Sequence, residues 1–406
     1  MALLAGGVLA WQHFQMDNTL AIDGWKNKPY NTDTLQTTTL PLTIEIEKSN
    51  SGQFFTIAKP LQQTSLLTIK GRQQQGTAYL RVDKNNQRKI SYQAPDGTAT
   101  LWLEAGSEVE LLFYSNQKAS YLLQQLSIDP CPTCLPDKHL KQYLLENLPE
   151  LADALAASDK LKAVSILMNW SARVSDLGSN ITQRSSAPFF YFQSMNAAQI
   201  FYDVWEKDDG GGICASFAVF LVKVLHLFDI EAFTVNMLLD MDLHITHATV
   251  IVAIPEQQNW KYYLFDPTSD GTFMEDGNYA DLATLFAHYD RDNLMLDKNY
   301  WIVSEKCLAR DYIQNNSAGV TGVVKNQPYC MDDLVQAWGR VAQRANSPWA
   351  AQFVRYQTEP RTSIMIDMLL YDIYGYGILP QDIAAWTEFR ELVLSHGGKI
   401  PVGPKL

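Results

Sequence analysis

Basic charge is scarce in this chain. Lysine and arginine number 32 against 44 aspartates and glutamates, a formal net charge of −12 over 406 residues. Proteins that grip nucleic acid neutralise phosphates with basic side chains, and no long basic stripe is present to do it. A glycine-rich nucleotide loop is missing too, and so is a second close Cys or His pair to complete a zinc site with CPTC at 131–134. Nucleic-acid, nucleotide and structural-zinc roles are therefore set aside, and no cofactor is expected. No repeat of fixed period and no low-complexity segment occurs. Long apolar runs are also absent from the start, where MALLAGGVLAW offers only about ten apolar residues against the ~20 that span a bilayer. It lacks the basic start of a signal peptide. Residues 1–37 are read as an N-terminal segment, the remnant of a membrane anchor.

Cysteine is sparse and odd in number: Cys131, Cys134, Cys214, Cys307 and Cys330. In an oxidising compartment two pairs can close, Cys131 with Cys134 and Cys307 with Cys330, leaving Cys214 as the reserved thiol. In a reducing compartment all five stay free. The pairs and the apolar start together point to an exported, periplasmic or cell-surface protein of bacterial type.

What is abundant is material for cores. The chain is 47 % hydrophobic and 19 % charged, which excludes disorder as the default. Its length suggests two or three domains. From residue 40 to about 129, short stretches alternate like strands: LTIEIE, FFTIAK, SLLTIKG, AYLRVD, KISYQ, ATLWLEAG, EVELLFY and SYLLQQLSI. Turn formers separate most of them, so residues 38–130 are expected to form an all-β sandwich or jelly roll. The pattern resembles that of jelly-roll carbohydrate-binding modules. Such modules stack exposed aromatics on sugars; Tyr79, Tyr92 and Trp102 are the residues of that type here, while strand aromatics ordinarily fill the core.

The connector DPCPTCLPD at 129–137 holds three prolines, which stop both helix and ladder. After it, HLKQYLLENLPELADALAA, KLKAVSILMNWSARVSDLG and MNAAQIFYDVWEKD carry apolar residues at helical spacing. EAFTVNMLL, THATVIVAI and KYYLFDPT then read as strands. An α+β core is expected over 136–300. From about 280 the spacing turns helical again, and 301–406 is expected to be a helical C-terminal region.

One stretch carries chemistry. KDDGGGICASF at 207–217 runs three glycines into Cys214, and an apolar helical stretch follows. A helix start lends positive potential and unpaired N–H groups, which favour a thiolate and can face an oxyanion. Glycines let a substrate approach closely. The base must be one of His13, His139, His226, His244, His247, His288 and His396. His226 lies three turns along the Cys214 helix, roughly 18 Å away, and cannot serve. His247 heads the strand ATVIVAI, and Asp266 ends the next strand just before a proline. In an antiparallel hairpin these two ends face each other, so imidazole and carboxylate can meet. The roles follow as Cys214 nucleophile, His247 base and Asp266 orienter. The competing readings are an inert buried cysteine, a turn aspartate, and a metal site of His244, His247 and Asp266. Turn-and-strand placement makes HxxH a poor chelating pair.

GGGICASFAVFLVKVL, THATVIV and YYLFDPTSDG, in that order, resemble the transglutaminase-like superfamily, a branch of the papain-like thiol enzymes, over roughly residues 150–290. The resemblance implies a Cys–His–Asp triad at Cys214, His247 and Asp266. It also implies an oxyanion hole of the cysteine N–H and an upstream side chain, for which Trp170, Gln183, Gln193, Gln199 and Trp205 qualify by type. It implies acyl transfer or hydrolysis on a peptide or protein amide, as a transglutaminase, protease or amidase. The alternative is a catalytically silent envelope scaffold, or a glycan-binding module, built on the same core.

Overall fold

The computed structural model describes residues 29–31, 40–46, 51–56, 61–84, 90–107, 109–115, 117–174, 195–205, 214–240, 245–257, 259–290, 295–297, 300–303, 308–316, 319–329 and 382–396. By internal contacts the chain divides into two units. One comprises Gly6–Leu140 and Asn180–Asp209; the other comprises Met1–Ala5, Lys141–Ser179 and Gly210–Leu406. The division falls beyond the proline-rich connector, and residues 180–209 group with the β-rich part. Both units mix helices with antiparallel sheets, an α+β organisation.

The β-rich unit contains β1 (Pro29–Asn31), β2 (Leu42–Ile46), β3 (Ser51–Thr56), β4 (Ser65–Gln75), β5 (Tyr79–Lys84), β6 (Ile90–Gln93), β7 (Gly97–Leu103), β8 (Val109–Ser115) and β9 (Ala119–Pro130). They form a five-stranded sheet, β1–β3–β8–β5–β6, and a four-stranded sheet, β2–β9–β4–β7. All pairs are antiparallel except β1 with β3. Period-two alternation sends Ile44, Ile46, Leu67, Ile69, Leu101 and Leu103 inward. Phe113 of one sheet stacks on Tyr121 of the other at 5.3 Å, so the sheets meet there. A Cβ on Gly71 would collide with the Tyr121 ring, which explains a glycine inside β4. After β9 the CPTC turn is closed by a Cys131–Cys134 disulfide. Cys307 and Cys330 lie outside the described residues.

Two of the expected sugar-stacking aromatics can be placed. Trp102 is only 6 % exposed, so its ring serves the core and cannot stack on a glycan. Tyr79 is half-buried with its ring 5.6 Å from Tyr114. The Tyr92 side chain lies outside the described residues.

The helices are α1 (Asp137–Asn147), α2 (Pro149–Ala156), α3 (Lys160–Val174), α4 (Ala197–Gln199, running into a π-helical turn over Ile200–Trp205), α5 (Cys214–His226), α6 (Leu282–Ala287) and α7 (Ile383–Ser395). Starts follow sequence signals. Pro149 opens α2, and Asp281 and Asp382 accept N–H bonds at the heads of α6 and α7.

The second unit is built on β10 (Ala232–Asp240), β11 (Ile245–Glu256), β12 (Asn259–Asp266), β13 (Gly271–Glu275) and β14 (Asn278–Tyr279), hydrogen-bonded in that order. Smaller strands are β15 (Tyr289–Asp290), β16 (Met295–Leu296) and β17 (Trp301–Val303), the last pairing with β13. Alternate residues of β10 to β12 are buried on both faces. One set, including Phe233, Ile251, Tyr262 and Leu264, packs on Trp386 and Phe389 of α7. Helix α5 packs on β10 and β11, and α3 meets α5 through Trp170 and Phe220, whose ring centroids are 5.7 Å apart.

The expectation of a helical region over 301–406 is corrected at its start. β18 (Leu308–Asn316) and β19 (Gly319–Tyr329) form an antiparallel hairpin there. Their valines and tyrosines are strand signals, and the ladder runs to Asn316 paired with Gly319, residue types that favour a hairpin end. The helix expected near QDIAAWTEFRELVLS is present as α7. The helical stretches expected at 331–376 and the apolar N-terminal segment lie outside the described residues. No helix among the described residues is long and apolar enough to cross a membrane.

Candidate active site

Helix α5 exists because of what it buries. Phe217, Val219, Phe220, Leu221, Val222, Val224 and Leu225 are all 0–1 % exposed. At ~1.5–3 kcal/mol per side chain, these seven contribute on the order of 10–20 kcal/mol as an upper estimate. The helix dipole contributes at most ~2 kcal/mol. Packing therefore holds the helix, and its positive end comes with it. Cys214 is the first residue at that end, and it is a free, half-buried thiol. The glycines before it lie outside the described residues.

His247 and Asp266 come from the same end of the β11–β12 hairpin. The hairpin turns at Gln257, whose φ of 55° lets the chain reverse. Its ladder runs from Glu256↔Asn259 to Val250↔Phe265. Continued beyond that last pair, the register brings His247 and Asp266 to one diagonal. Their side chains meet: His247 Nε2 donates to Asp266 Oδ2 at 3.0 Å, and both residues are 0 % exposed. The Cys214 sulfur also interacts with His247 and favours its charged form. An imidazole has two nitrogens, and with Nε2 on the carboxylate, Nδ1 is the one available to a thiol.

The electrostatics follow from this chain of contacts. Burial pushes the His247 pKa down, but the Asp266 charge and hydrogen bond, with the Cys214 sulfur, raise it to about 10. Burial likewise opposes charge on Asp266. The His247 imidazolium, the Ser269 hydroxyl and the Thr268 N–H override it and hold the carboxyl below its ordinary value. Thr268 N–H reaches Oδ1 at 2.9 Å and Ser269 Oγ–H reaches Oδ2 at 2.6 Å. Pro267 has no N–H, so the turn delivers its first donor from the next residue. Asp270, at φ 53°, ends the turn and accepts from Asn169 Nδ2 of α3 at 2.9 Å. A Cβ on the following Gly271 would collide with the Trp301 ring.

The expected side-chain oxyanion donors fare differently. Trp170 is 4 % exposed and packed on Phe220, a core position. Gln199 is excluded by its bonds. Its Oε1 accepts from Trp102 N–H at 2.9 Å and its Nε2 donates to Thr100 O at 3.1 Å, so the amide clamps α4 to β7. Gln183, Gln193, the Trp205 side chain and His244 lie outside the described residues. Sequence reading missed Ser269; the only signal was a hydroxyl three residues after Asp266 in DPTS. His226, rejected as base on distance, bonds the Ala232 carbonyl at 2.9 Å.

No family model matches the chain, and no curated protein does. Among solved structures, the pre-peptidase C-terminal domain of a collagenase from Bacillus anthracis is 14 % identical, with TM-score 0.16, covering 24 % of this chain and 94 % of its own. A protein of Cytophaga hutchinsonii, provisionally described as a cysteine protease, is 12 % identical with TM-score 0.18, covering 57 % and 78 %. A cycloisomaltooligosaccharide glucanotransferase from Paenibacillus sp. is 9 % identical with TM-score 0.17, covering 70 % and 40 %. Similarity this low carries no argument, and the site stands on its own geometry.

Proposed function

We propose that this chain is a transglutaminase-like thiol enzyme that cleaves or transfers the acyl group of a peptide or protein amide. One observation carries the reading: a buried imidazole bonded to a carboxylate and held in its charged form in part by a half-buried thiol at a helix start. An imidazolium against sulfur stabilises negative charge there. Cys214 Sγ attacks the amide carbonyl carbon, and the N–H groups at the head of α5 receive the oxyanion. As the C–N bond breaks, His247 Nδ1 gives its proton to the leaving nitrogen. Water or an amine then attacks the thioester, returning a proton to Nδ1 and freeing the sulfur. Asp266 holds the ring throughout.

The β-rich unit is an accessory to this core, of jelly-roll type. Its Cys131–Cys134 disulfide supports an exported location, since such bonds persist in oxidising compartments. Burial of Trp102 removes one motive for glycan binding.

The test is to incubate the full chain with a denatured-protein substrate and hydroxylamine, and to follow hydroxamate release and intact mass. Wild type should release hydroxamate and, with hydroxylamine left out, carry an acyl adduct on Cys214. Cys214→Ala should lose turnover by at least ~10³-fold while melting like wild type. Undiminished turnover in that variant would end the proposal.

A further inference from the structure

We propose that Ser269 is a positioning residue of the site: its hydroxyl and the Thr268 N–H clamp the two oxygens of Asp266, so that Oδ2 stays aimed at His247. The proposal rests on the thiol-enzyme reading above and extends it by one residue.

The geometry is specific. Oδ2 accepts two bonds at once, from His247 Nε2 at 3.0 Å and from Ser269 Oγ at 2.6 Å, while Oδ1 is held by Thr268 N–H at 2.9 Å. A carboxylate pinned by one oxygen alone can swing about its terminal torsion, which is broad for Asp. Pinned by both, it presents a fixed acceptor, and the ring that it holds is fixed in turn. Ser269 is 1 % exposed, so water cannot replace its hydroxyl without rearrangement. The turn is itself anchored, since Asp270 is held by Asn169 of α3. Among the described residues, Ser269 meets Asp266 and, on the same oxygen, His247 of β11, and Asp270 follows it in the turn. A hydroxyl bond to a carboxylate favours the charged form, so losing it makes Asp266 take a proton at higher pH.

The experiment reads this without a substrate. The rate constant for alkylation of Cys214 by iodoacetamide is measured against pH in the full-length protein. Ser269→Ala is expected to move the acid limb of that profile up by about one pH unit, and Ser269→Thr, which keeps the hydroxyl, to leave it in place. Thr272→Val is the structural control. It removes another buried hydroxyl, bonded to the Leu264 carbonyl at 2.7 Å, and should lower the melting temperature without moving the limb. A folded Ser269→Ala whose profile superimposes on wild type overturns the proposal, as does a limb shifted equally by Thr272→Val. If Ser269→Ala does not fold, the Ser269 hydroxyl proton of the wild type is sought by NMR. Slow exchange supports the clamp, and free exchange with solvent overturns it. If wild-type Cys214 does not alkylate faster than a denatured control at any pH, the thiol-enzyme reading itself has failed, and the two failures are told apart.

Discussion

The two ends of α5 hold histidines that the same core treats in opposite ways. At the C-terminal end, His226 bonds a neutral acceptor, the carbonyl of Ala232. Burial pushes its pKa down to about 4; the carbonyl pulls up and the nearby Lys223 pushes further down. A helix C-terminus ordinarily favours a cation, yet desolvation wins and the ring is neutral at pH 7. At the N-terminal end, His247 is more deeply buried, but its acceptor carries a full charge, and its pKa rises to about 10. Burial does not decide which ring is charged. The acceptor does. A carbonyl gives a structural histidine; a carboxylate beside a thiol gives a candidate base.

The sharpest way to break this contrast is to neutralise the acceptor at the N-terminal end. Asp266→Asn should turn His247 into a ring like His226. Turnover should fall on the order of 10²–10⁴-fold, and unfolding free energy by ~3–5 kcal/mol, measured by denaturant titration. The loss should depend on pH. His247 is raised from 6.5, so its contribution is complete below 6.5 and is lost as pH rises through about 10. Asp266 is lowered from 3.8, so its contribution is present above 3.8 and is lost as pH falls through its depressed value. The gap between wild type and variant should therefore be widest between pH 3.8 and 6.5 and should close toward pH 10.

A smaller effect is expected at the other end. His226 is lowered from 6.5 to about 4, so the unfolded chain binds its proton more readily between those values. Its contribution is present above 6.5 and declines as pH falls toward 4. His226→Gln keeps a donor for the Ala232 carbonyl but cannot titrate. Stability curves of this variant should lose part of their acid-side slope, while Cys214 alkylation at pH 7 stays as in wild type. An unchanged slope would mean that His226 is protonated in the fold.

The smallest effect tests the third cause. Lys223 is one turn before His226 on α5 and its charge disfavours the imidazolium. Lys223→Gln should raise the His226 pKa by a few tenths of a unit, readable by NMR titration of the ring, and leave His247 where it is. A shift of both rings would show that the two ends are not independent.

Much of the site was legible in the chain. GGGIC before an apolar run marked a buried helix beginning at Cys214, and hairpin spacing put His247 across from Asp266. Both inferences rest on local periodicity and on register, which a sequence carries. Gln199 shows where that stops. Its residue type suits an oxyanion donor, yet its amide is spent on the backbone of β7, a strand nearly a hundred positions away. Trp102 likewise suits a sugar platform by type and is buried by contacts that no local pattern encodes. The β18–β19 hairpin has its valines in the sequence, but helical spacing in the neighbouring stretches competes with that strand signal.

By itself, the order of residues determined which segments become strands or helices and that a thiol would stand at a helix start. It also determined that an imidazole and a carboxylate would share one end of a hairpin, because periodicity and register are properties of neighbours along a chain. The tertiary structure alone decided that His247 is charged and His226 is not, that Ser269 grips Asp266, and that Gln199 has no amide to spare. Those outcomes depend on which polar groups lose their water together, and desolvation belongs to the packed molecule.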